Sequence, residues 1–113
     1  MRSILLACLF ALWGSIALAH SPLKETTPAN GAVVAAAPSE ITLTFKGKIR
    51  LTRVSVAHES SATVDLDLGT QKGFISHYTL PMTTTARGSY SVTWRGLGSD
   101  GHALKGSFSY KVK

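Results

Sequence analysis

Along most of this chain apolar residues alternate with polar ones at a period of two. Ile41, Leu43 and Phe45 alternate with Thr42 and Thr44, and Val54 and Val56 with Arg53 and Ser55. Val64, Leu66 and Leu68 alternate with Asp65 and Asp67, and Tyr90, Val92 and Trp94 with Ser91 and Thr93. Phe108, Tyr110 and Val112 do the same with Ser109 and Lys111. Successive side chains of a strand point to opposite faces, so each run predicts a strand with one face in a core and one in water. No stretch of useful length carries the helical period. Turn signals punctuate the runs: Pro28-Ala29-Asn30-Gly31, Ala37-Pro38-Ser39, Gly69, Gly73, Arg87-Gly88 and Gly98-Ser99-Asp100-Gly101. Short strands separated at this density predict an all-β sandwich with Greek-key connections. Residues 74–80 alternate only approximately, Thr83-Thr84-Thr85 reads as a loop, and Trp94 is expected to be the largest contributor to the core.

The first residues break this pattern. Met1-Arg2-Ser3 is a short positive start, residues 4–12 are an apolar run, and Ala17-Leu18-Ala19 is a small-x-small cleavage site. Residues 1–19 are therefore expected to be a cleaved secretory signal peptide, and residues 20–113 one mature domain. No later run approaches the roughly 18 apolar residues of a membrane span, so the processed protein is not expected to cross a membrane. Cys8, the single cysteine, lies inside the leader. The surrounding Leu5-Leu6-Ala7-Cys8 resembles a lipoprotein cleavage box but comes too early to leave a working leader. The mature domain then has no disulfide and no soft thiolate, and its stability must come from packing.

Charge changes the picture little. Lys and Arg number 12 against 6 Asp and Glu, for a formal net charge of +6. The basic residues are spread along the chain without a run, and no nucleic-acid motif accompanies them. A solvated basic surface is the expectation, with no nucleic-acid partner.

Candidate chemistry starts at the predicted cut. Cleavage after Ala19 makes His20 the first residue, and a free N-terminal histidine offers its α-amine and imidazole to one metal ion. A second group is Ser99-Asp100-Gly101-His102. In an extended backbone residues i and i+2 point the same way, so Asp100 and His102 could aim an oxygen and a nitrogen at one point. With His20 beside them the set would be three nitrogens and one oxygen, which favours divalent copper over zinc. Asp-Gly is equally a common hairpin turn, and a lone histidine is usually an ordinary surface residue. His58 and His77, with Asp65 and Asp67, offer material for a second metal site, but nothing in the sequence places them together.

Several segments together resemble the CopC family of periplasmic copper-binding proteins, including its YobA-like branch. They are Ala17-Leu18-Ala19 before His20, Thr27-Pro28-Ala29-Asn30-Gly31, Ala36-Ala37-Pro38 and Ile41-Thr42-Leu43-Thr44-Phe45. Gly88-Ser89-Tyr90-Ser91-Val92-Thr93-Trp94, Ser99-Asp100-Gly101-His102 and Gly106-Ser107-Phe108-Ser109-Tyr110-Lys111-Val112 complete the match. The likeness covers nearly the whole mature chain, whereas residues 46–80 fit only in length and β pattern. The resemblance implies a cupredoxin-like or immunoglobulin-like sandwich binding one Cu(II) per chain. The metal ligands would be His20, Asp100 and His102. It also implies a periplasmic location and an inner-membrane copper transport protein as partner. Two features depart from the family pattern: Pro22 stands where many relatives have a second histidine, and the methionine-rich monovalent site is missing.

The function expected is that of a non-enzymatic copper carrier or buffer in homeostasis, resistance or uptake. A copper-dependent oxidative enzyme with an N-terminal histidine chelate is one alternative. A metal-free β-sandwich interaction module is the other.

Overall fold

The computed structural model of the protein describes residues 22–70 and 73–113. The predicted leader and His20 lie outside them. Seven strands and no helix make up the described chain: β1 (Leu23–Thr27), β2 (Ala32–Val34), β3 (Glu40–His58), β4 (Val64–Asp65), β5 (Ile75–Pro81), β6 (Gly88–Gly98) and β7 (Ala103–Val112). No helix among the described residues is long and apolar enough to cross a membrane.

β3 organises the fold. Two runs that the sequence separates, Ile41 to Phe45 and Val54 to Val56, belong to one 19-residue strand. Its first half pairs antiparallel with β1 and β5, and its second half with β4 and β6. Between the halves Lys46, Gly47 and Lys48 are all exposed, and the β5 register shifts between Thr44 and Ile49. Tyr78 straps this irregular stretch. Its buried hydroxyl donates to the Ile49 carbonyl at 2.8 Å and accepts the Leu51 N–H at 3.2 Å.

The sheet runs β1-β3-β6-β7-β2 and curls on itself, so the two halves of β3 face one core in a cupredoxin-like β-sandwich. Phe45, from the first half, packs edge-on against Trp94 of β6 at a centroid distance of 5.0 Å and against Tyr78 at 6.2 Å. Tyr90 stacks on Tyr110 at 5.0 Å. The predicted inward residues of β6 and β7 are all buried, as are Ile41, Leu43, Val54 and Val56. Trp94 is 1% exposed, and an indole of its size contributes roughly 4–6 kcal/mol of gross transfer energy. Its ring lies over Gly106, its cross-strand partner, where a Cβ would come within 2.8 Å of three indole atoms.

Two expectations change. Val64, Leu66 and Leu68 form a ladder only at Val64–Asp65, because the chain turns at Gly69 (φ +72°), where Asp67 accepts the Gly69 N–H. Leu66 and Leu68 nonetheless pack against the core, whereas Val64, expected to face inward, is exposed. In residues 74–80, Tyr78 and Leu80 point inward as expected, but Phe74 is exposed ahead of the strand. β2, unforeseen, pairs parallel with β7 because the Asn30-Gly31 turn is clipped there. The Asn30 side chain accepts the Ser109 N–H, and the Gly31 N–H donates to the Ser109 carbonyl.

Candidate metal centre

The β6–β7 hairpin ends in a tight tip of residues 98–102. The Gly98 N–H donates to the His102 carbonyl and the Gly101 N–H to the Gly98 carbonyl, both at 2.9 Å. Gly101 takes φ +86°, a left-handed conformation that costs glycine nothing. Asp100 and His102 meet here, but through the turn and not through an extended strand. Asp100 Oδ1 accepts the His102 backbone N–H at 3.1 Å, and Oδ2 lies 2.8 Å from His102 Nδ1. Gly98 makes room for this, since a Cβ on it would stand 2.9 Å from Asp100 Oδ1.

The electrostatics follow from the contact. The hydrogen bonds from the His102 ring and then its backbone N–H, and after them its charge, hold the Asp100 carboxyl below the usual carboxylate range. The same ring bond and the Asp100 charge raise the His102 imidazole above its ordinary value of 6.5. Both side chains are well exposed, at 82% for His102 and 67% for Asp100, so solvent screens the pair and its contribution to fold stability is small. A carboxylate on Nδ1 fixes that nitrogen as the proton carrier and leaves Nε2 with its lone pair. His102 Nε2 has no hydrogen-bond partner among the described residues.

The other candidates are engaged elsewhere. His58 Nε2 pairs with the Arg87 carbonyl at 2.6 Å while its ring lies against Tyr90. His77 Nδ1 pairs with the Thr44 hydroxyl at 2.8 Å. Asp65 accepts from Ser55 and Arg53, which lower its pKa. No group of three or more His, Cys, Asp or Glu side chains among the described residues could hold a metal ion. Among the described residues, Asp100 and His102 are the predicted site residues that the structure brings together. Met82, the single thioether of residues 20–113, is buried in the core.

The curled all-β sandwich places the chain in the cupredoxin-like class of β-sandwich proteins. The chain belongs to the CopC family, whose CopC domain it matches over residues 23–113. It is 32% identical to copper resistance protein C of Pseudomonas syringae pv. tomato, covering 90% of this chain and 87% of that one. The crystal structure of CopC from Methylosinus trichosporium OB3b is similar at a TM-score of 0.69 and 29% identity, over 83% of this chain and 94% of that one. PcoC, a methionine-rich copper resistance protein from Escherichia coli, is similar at a TM-score of 0.58 and 25% identity, over 84% and 100%. The protein therefore has a copper-related role as a copper resistance family member and is not an enzyme. Family membership points to copper as its partner ion.

Proposed function

We propose that the protein is exported by cleavage after Ala19 and then holds one Cu(II) ion as cargo. The ligands are the α-amine and imidazole of His20, with Asp100 and His102. In the periplasm it would carry or buffer the ion and pass it to an inner-membrane copper transport protein. The observation that carries this reading is the Asp100–His102 pair, exposed on a tip with Nε2 unengaged.

The course of the chain supports a third donor from the N-terminus. The Lys46 N–H donates to the Pro22 carbonyl at 2.8 Å, and β1 runs antiparallel to β3. Lys46 stands three residues before Ile49, whose partner is Gly98 at the base of the tip. Pro22 is two residues from His20, a reach of about 7 Å in an extended chain.

Donor chemistry selects the oxidation state. Imidazole, amine and carboxylate are hard-to-borderline donors, and divalent copper heads the affinity order for such sets. Monovalent copper would want thioethers, and Met82 is committed to the core. His102 binds only when deprotonated, and its raised pKa makes protons compete at a higher pH than for an ordinary histidine. Acidification would therefore release the cargo.

The test is a Cu(II) titration followed by EPR on two mature proteins. One begins at His20 and the other carries a single residue ahead of it. Tight one-to-one binding with a nitrogen-rich tetragonal signal in the first alone is expected. Equal weak binding in both would remove His20 from the site.

A further inference from the structure

The outer face of the sheet carries a charge pattern that chelation does not use. Arg53 on β3, Arg95 on β6 and Lys105 on β7 are successive cross-strand partners, and all three are exposed. Side chains directly opposite on antiparallel strands have Cβ atoms about 4.5–5.5 Å apart, and like charges so placed repel. Arg53 has a counter-charge in Asp65 at 3.1 Å, whereas Arg95 and Lys105 make no ion pair among the described residues. The next rung carries no cation: Asp65 pairs with Ser55, followed by Thr93 and Ser107. Repulsion is thus concentrated in one rung, close to the hairpin tip. Between that rung and the tip, Leu97 and Ala103 pair and, with Leu104, floor a shallow depression bordered by Arg95 and Lys105.

We propose that the Arg53–Arg95–Lys105 rung docks an acidic segment of a partner protein. Its carboxylates would neutralise Arg95 and Lys105, which lack the counter-charge that Asp65 gives Arg53, while a small apolar side chain sits over Leu97 and Ala103. Charge complementarity selects the occupant, and Arg95 in particular offers a planar fork matched to a carboxylate. An anionic lipid surface fits less well. Asp65, on the adjacent rung, reaches Arg53, and Asp100 lies on the tip beyond, so a continuous headgroup layer would meet carboxylates among the cations. A segment of defined spacing avoids them. That the docked partner exchanges copper at Asp100 and His102 rests on the function proposed above; the docking itself does not.

The experiment uses the metal-free chain beginning at His20, labelled for NMR. The probe is a synthetic peptide alternating glutamate with alanine and leucine. Shift changes should centre on residues 95, 97, 103 and 105. Arg95→Glu and Lys105→Glu should each weaken binding by about tenfold or more, the loss of one charge-assisted pair. Lys24→Glu and Lys113→Glu alter net charge equally and should weaken it by less than about twofold. Equal loss in all four variants would reduce the effect to net charge and overturn the proposal. Binding to phosphatidylglycerol vesicles but not to the peptide would also overturn it, in favour of a membrane surface. Arg95→Glu places a carboxylate between two cations, so it should fold at least as well as the parent. A Cu(II) titration of the same variants should stay within about threefold of the parent, because none supplies a metal donor. Failure of the copper site would leave the peptide result standing, so the two readings can fail separately.

Discussion

In the β6–β7 hairpin the middle and the tip follow opposite rules. Trp94, in the middle, is almost wholly buried between Phe45 and the bare Cα of Gly106. His102, at the tip, is exposed and touches mainly the carboxylate of Asp100. The same antiparallel register sets both: one end uses it to build a close-packed interior, the other to close a turn that presents two donors. Stability is concentrated in the first, and the proposed copper site lies in the second, where few packing contacts depend on it. That separation lets the tip change without loss of the sandwich.

Substitutions can break the contrast from either side. The largest expected effect is at Trp94→Ala, which should cost about 3–5 kcal/mol in urea unfolding by leaving a cavity against Phe45. Gly106→Ala should cost about 1–3 kcal/mol in the same assay, because its Cβ would enter the indole at 2.8 Å. Both variants, where still folded, should keep the copper stoichiometry of the parent.

At the tip the pattern inverts. Asp100→Asn should leave the melting midpoint in place but weaken Cu(II) by about 10–100-fold or more, because the amide is a poorer donor than the carboxylate ligand and no longer holds the His102 ring in place. An NMR pH titration of that variant should show the His102 pKa falling towards 6.5, since the Asp100 bond and charge are what raise it. The sign follows from the two shifts. The pair contributes fully between the ordinary Asp value of 3.8 and the ordinary His value of 6.5, where both groups are charged in the folded protein. It is lost as pH rises through the raised His102 pKa or falls through the lowered Asp100 pKa. Smallest is Gly98→Ala, whose Cβ displaces Asp100 Oδ1 and should weaken copper by about a few-fold with little change in unfolding.

The two regions also differed in how far they could be read in advance. Tyr90, Val92, Trp94, Phe108, Tyr110 and Val112 announce themselves by alternation, because burial on one face of a sheet imposes a period of two. That signal stops at Lys46-Gly47-Lys48, so the continuity of β3 through its bend was hidden. β2 was hidden for another reason. Its parallel pairing with β7 joins residues far apart in sequence, and local pattern cannot reveal that. At the tip, the residue types and the glycine at the left-handed position were legible. The carboxylate-to-ring bond was not, since extended geometry suggested two donors side by side and the turn instead folds one onto the other. The Arg53–Arg95–Lys105 rung was invisible for the same reason as β2: three scattered cations become neighbours only through the register.

The most direct test of the copper site is amide NMR of the chain beginning at His20 under sub-stoichiometric Cu(II), which erases signals near the bound ion. Selective loss at Asp100, Gly101 and His102, with His58, His77 and Trp94 preserved, is the predicted result. Loss centred on His58 or His77 with the tip unaffected would contradict the account.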